Sequence, residues 1–133
     1  GESGITFFAI AELAGRLRAG FPGSLDGAPM LMPNTGSHLR RSLELWLERQ
    51  EIQPRVVAEF EDRALMKAFG ERGAGVFASP GAVEQEVRDK YGVEVIDRTQ
   101  EVTERYYAIS AERRIKHPAV SAITAAARSE LFV

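Results

Sequence analysis

The sequence predicts an α/β fold, an open parallel-type sheet flanked by helices. Two observations carry that expectation. Strand-like and helix-like segments alternate from Pro29 to Ile96 without a break. Within that run, Arg55–Phe60 ends at the carboxylates Glu61 and Asp62, a helix runs from there to Gly70, and the apolar stretch Gly75–Ala78 leads into Ser79-Pro80. That is one βαβ turn of a parallel sheet. In such units ligands gather beyond the carboxyl ends of the strands, where helix N-termini converge, so Glu61 and Asp62 fall beside any cleft.

The elements follow in order. Ile5–Ile10 is an apolar, β-favouring run of the kind covered on both faces. Ala11–Arg18 is weakly helical, with Leu13 and Leu17 four apart, and ends at Gly20 and Pro22. Ser24–Gly27 is a turn, Pro29–Met32 a brief second strand, and Pro33-Asn34-Thr35-Gly36 closes it with turn-forming residues. From Ser37 to Gln50, Leu39, Leu43, Trp46 and Leu47 mark one helical face, with Ser37 as N-cap and Arg40 paired with Glu44 on a solvated face. The arginines Arg40 and Arg41 could also meet an anion or a partner chain.

Arg55–Phe60 is the third strand. The helix Asp62–Phe69 carries a stripe of Leu65, Met66 and Phe69 and stops at Gly70 as a left-handed cap. Gly75–Ala78 is the fourth strand, after which Ser79 caps a helix with Pro80 at its first position. Val83, Val87 and Tyr91 form that helix's inner side, Gly92 ends it, and Val93–Ile96 is a fifth strand. A polar link spans Asp97–Glu104, Arg105–Ala111 is strand-like, and His117-Pro118 opens a last helix bearing Val120, Ile123, Ala127 and Leu131.

At 133 residues the chain has the size of one domain, and it contains no cysteine for a disulfide or thiolate zinc site. The net charge of −2, with both signs interspersed, marks no nucleic-acid-binding face. No stretch has the length of about 18 apolar residues that a membrane span requires. The start at Gly1, without a methionine, suggests a processed chain, a trimmed tag or an excised domain.

The enzyme motifs fail on context. Gly70, Gly73 and Gly75 follow a helix and precede a strand, the reverse of a dinucleotide fingerprint. Ser79 lies in Ala-Ser-Pro-Gly, outside any nucleophile elbow, and His38 and His117 lack metal-ligand partners. No catalytic set, metal set or cofactor is implied. Glu61 and Asp62 satisfy free N–H groups and the dipole at a helix start without any ligand. With Asn34, Thr35, Ser37 and Ser79 they also form an oxygen-rich set suited to an effector or a hard cation.

The run EFEDRALMKAFGERGAGVFASP at 59–80, ERYYAISAERRIKHPAV at 104–120 and the closing SELF resemble the C-terminal half of the effector domain of LysR-type transcriptional regulators. Within that family they are most similar to the branch that activates sodium/proton antiporter operons. The resemblance implies a lobe like those of periplasmic binding proteins: hinge strands at 5–10 and 105–111, a second lobe over 20–104, and the final helix of the first lobe at 117–131. It implies a cytoplasmic homo-oligomer with an effector cleft lined by Asn34, Thr35, Ser37, Glu61, Asp62 and Ser79. Promoter DNA would be read by an N-terminal helix-turn-helix that this sequence lacks. A second lobe on its own should bind effector poorly and expose apolar surface at strand 5–10 and the final helix. The alternative is a free-standing solute-binding module with no DNA role.

Overall fold

The computed structural model describes residues 2–105. Their order is β1 (Glu2–Ala9), α1 (Ala11–Arg18), β2 (Pro29–Pro33), α2 (His38–Arg49), β3 (Arg55–Phe60), α3 (Arg63–Glu71), β4 (Phe77–Pro80), α4 (Glu84–Tyr91) and β5 (Glu94–Arg105). Short 3-10 turns at Gly23–Leu25 and Gly81–Val83 complete it. The strand expected at 105–111 beyond its first residue, and the helix at 117–131, lie outside the described residues.

β2 and β3 pair in parallel, from Pro29 opposite Arg55 to Pro33 opposite Phe60, with a register shift between Met30 and Leu31. Val76, just before β4, bridges Met30 in the same parallel sense. This is the parallel portion that the strand–helix alternation predicts. β1 precedes that alternation and enters antiparallel to β4, with Ile5 opposite Pro80 and Phe8 opposite Phe77, in a sheet ordered β4-β1-β5.

β1 is buried on both faces, and each face serves a different core. Ile5, Phe7 and Ala9 join Leu13 of α1 and Leu39, Leu43 and Trp46 of α2. Phe8 joins Leu31, Phe60, Met66 of α3, Phe77 and Val87 of α4. Phe7 stacks on Trp46 at 5.5 Å and Phe8 on Phe77 at 5.3 Å. Residues 5–9 are therefore buried, and of the 5–10 segment only Ile10 keeps part of the exposed apolar surface expected for a lone lobe. Burial of one such side chain contributes on the order of 1.5–3 kcal/mol, which explains why the central strand is so apolar.

The helix ends correct several expectations. Gly70 does not cap α3; it sits inside the helix, fully covered, where any Cβ would collide with the Phe77 ring. The positive φ falls at Gly73, at +87°. Of the expected stripe only Met66 is buried, while Leu65 and Phe69 are nearly half exposed, Phe69 packing on Phe60 at 5.2 Å. β4 runs two residues later than expected, so Ser79 and Pro80 are strand residues, and α4 begins at Glu84 without a side-chain cap. Gly92, at φ +65°, ends α4 as predicted.

The largest departure is β5. The polar stretch Asp97–Glu104 is strand, continuous from Glu94 to Arg105. Its charged residues find partners on three helices: Arg98 grips Glu84 of α4, Glu101 accepts from Trp46 of α2, and Glu104 takes both bonds from Arg63 of α3. A strand so anchored needs little apolar character of its own.

Candidate functional site at the strand-end rim

Because β2, β3 and the Val76 bridge run in parallel, their carboxyl ends emerge at one edge of the structure. The antiparallel β1 brings its amino end to the same edge, with Ile5 opposite Pro80. Each loop at that edge is built by local chemistry. After β2, the Asn34 amide donates to Phe60 O at 2.8 Å and the Ser37 amide to Asn34 O at 3.1 Å, which folds Asn34–Ser37 into a turn against the end of β3. Ser37 then caps α2, accepting from the Arg40 amide at 3.1 Å. After β3, Asp62 caps α3 by accepting from the Ala64 and Leu65 amides at 2.9 and 3.3 Å.

Asn34, Thr35, Ser37, Glu61 and Asp62 thus occupy two abutting loops, joined by the bond from Asn34 to Phe60. Thr35, Glu61 and Asp62 are exposed there, and Asn34 and Ser37 are partly so. Ser79 stands apart on β4, on the far side of β2, opposite Thr6 of β1. Its hydroxyl is buried and has no hydrogen-bond partner among the described residues. A buried hydroxyl without a partner costs about 1–3 kcal/mol, so Ser79 keeps unused bonding capacity at this edge. Thr6, its neighbour across the strands, instead donates to Glu84 at 2.9 Å. Among the described residues no group of three or more His, Cys, Asp or Glu side chains converges as a metal set.

The rim rests on Arg40. Its pairing with Glu44 at 2.8 Å follows from the i, i+4 spacing, but the side chain is buried rather than solvated. It also donates to Pro33 O at 2.9 Å and meets Glu59 of β3 at 3.0 Å. Neither an anion nor a partner chain is needed to neutralise it. The link to Glu59 spans nineteen positions, which no local pattern announces. Arg41, by contrast, is exposed and donates to Gly36 O at 3.1 Å.

A groove of about 520 Å³ lies elsewhere, between the second half of α2 and the start of β3. Leu47, Ile52 and Val56 contribute apolar surface, Asp26, Glu48 and Glu51 carboxylates. It shares no residue with the rim set predicted from sequence.

Comparison with known proteins places this architecture. The model of the LysR substrate binding domain matches residues 9–131. The transcriptional activator protein NhaR of Escherichia coli K12 is 36% identical over 132 residues, covering 99% of this chain and 43% of that protein, and NhaR of Shigella flexneri matches equally. The chain therefore spans less than half the length of these relatives. Among solved structures, the Synechocystis PCC6803 CcmR regulatory domain in complex with 2-PG aligns at a TM-score of 0.61 with 16% identity, over 72% of this chain and 47% of that one. The reduced regulatory domain of Vibrio vulnificus OxyR2 aligns at 0.63 with 12% identity, over 77% and 50%. The apo regulatory domain of Salmonella typhimurium HypT gives 0.56 with 20% identity, over 77% and 48%. At these identities the structural likenesses speak for the fold, and the family rests on the match across residues 9–131: the chain belongs to the LysR substrate-binding domain family, the effector-binding part of LysR-type transcriptional regulators.

Proposed function

We propose that this chain is the effector-sensing domain of a LysR-type transcription activator that controls sodium/proton antiporter genes. The observation that carries the reading is the 36% identity to the activator NhaR across 99% of the chain. In this reading residues 20–104 form the second lobe and 5–10 a hinge strand leading into it. The effector, a small molecule or an ion, contacts Asn34, Thr35, Ser37, Glu61, Asp62 and Ser79 at the strand-end rim. It acts by differential affinity for two lobe arrangements of a cytoplasmic homo-oligomer, and promoter DNA is held by a separate N-terminal domain. The chain itself catalyses no reaction. What favours the rim is the convergence of strand ends and the orphan hydroxyl of Ser79.

The test is a footprint of the full-length protein on the promoter region beside its gene, in sodium and in potassium salts at equal ionic strength, since phosphate contacts alone make affinity salt-dependent. A footprint that shifts with sodium, and ceases to do so in Glu61→Ala/Asp62→Ala, supports the reading. One indifferent to the cation removes the sodium response, and no footprint points to a solute-binding module.

A further inference from the structure

We propose that Arg40 is a positioning residue that sets both effector loops with one guanidinium. This deepens the proposed function and rests on the rim being the effector site. The loops after β2 and β3 are distinct in sequence, yet Arg40 is hydrogen-bonded to the last residue of β2, Pro33, at 2.9 Å and ion-paired with the penultimate residue of β3, Glu59, at 3.0 Å. Asn34 follows the first of these directly, and Glu61 lies two residues past the second. Glu44, one helical turn on, holds the Nε edge at 2.8 Å and fixes the plane of the fork.

The geometry depends on a guanidinium. Three acceptors from three elements lie around a planar group whose donors point outward in a fixed pattern. A lysine ammonium has charge enough but is a point donor on a flexible stem, and cannot reproduce the pattern. Arg40 is only 7% exposed, so water does not readily replace a lost bond. Movement of either loop is therefore transmitted to the other through the same side chain, and Asn34 and Glu61 respond to an effector as one surface.

Amide hydrogen exchange on the intact protein, without any effector, tests this in Arg40→Lys and Glu59→Ala. The second variant removes one arm of the fork while the buried cation keeps Glu44. In both, the amides of Asn34 and Ser37 and those of Ala64 and Leu65 are expected to exchange about tenfold faster, while the β1–β4 ladder from Ile5 to Phe8 keeps its protection. Uniform acceleration through that ladder would mean a general stability role and overturn the proposal. Acceleration confined to Asn34–Ser37 would overturn the sharing of one guanidinium between loops. Failure of the effector reading has a different signature: normal exchange changes in these variants, but a footprint that no rim substitution alters.

Discussion

The indole N–H of Trp46 donates to Glu101 across 2.7 Å, joining the most buried face of α2 to the part of β5 that the sequence reads as a polar link. The same ring stacks on Phe7, so one side chain binds α2 to both β1 and β5. Trp46→Phe keeps the aromatic stack but deletes the donor and part of the volume. The expected loss is about 1–2 kcal/mol, read as a lower urea midpoint by circular dichroism, because Trp46 is the chain's single tryptophan.

Glu84 accepts both bonds of the Arg98 fork and one from Thr6. Its carboxyl is held below the usual range, chiefly by the hydrogen bonds from Arg98, with Thr6 adding to the effect. A carboxylate whose pKa is depressed by folding stabilises the folded state above its unfolded pKa, and that contribution fades as pH falls through the folded value. Wild type should exceed Glu84→Gln in melting temperature at neutral pH. The gap should narrow as pH falls from about 5, through the unfolded glutamate value of about 4.3 and on towards the lower folded value.

Lys67 shows the opposite sign. Burial in α3 pushes its ammonium down, the cations Arg63 and Lys90 push the same way, and Glu104 and Asp62 partly compensate. A lysine with a lowered folded pKa costs stability while charged, and that cost is relieved as pH rises through the folded pKa towards the unfolded value near 10.4. Lys67→Met should therefore raise the melting temperature at pH 7 and lose that advantage by about pH 10.5. Equal gains at both pH values would show packing, rather than charge, to be the cause.

Gly70→Ala would add about 1 kcal/mol of helix propensity at an ordinary exposed site. Here the new methyl meets the Phe77 ring, which is itself stacked against Phe8. Overpacking of this kind costs about 1–3 kcal/mol, so the substitution should lower stability. The denaturant midpoint settles the sign.

Asp62→Ala should cost about 1 kcal/mol through the lost cap, and Asp62→Asn only a few tenths. Unfolding curves on both variants separate that helix role from any role in effector response: Asp62→Asn removes the charge but keeps the cap.

The parts legible in sequence are those whose cause is local. Helix α2 could be read because Leu39, Leu43, Trp46 and Leu47 repeat on one face and Ser37 carries a capping oxygen. Strand β3 lies at Arg55–Phe60, as its apolar run between breakers requires. The turn after α3 falls at Gly73 and not at Gly70, because Gly70, Gly73 and Gly75 all permit one and packing of Gly70 against Phe77 decides among them. The rim loops were legible as strand ends, whereas the buried fork of Arg40 was not, since Glu59 lies in another element. Ser79 could be read as a polar residue at a strand end, but its lack of a partner is a property of packing alone.

Charged side chains of β5 reach three helices: Glu94 and Arg98 meet α4, Glu101 meets α2 and Glu104 meets α3. A reader of natural variants who scored tolerance by exposure would count Arg98 and Glu101, both exposed, as freely exchangeable. Their charges are instead bound to the placement of whole helices, so a sign reversal on this strand should be less tolerated than exposure alone suggests.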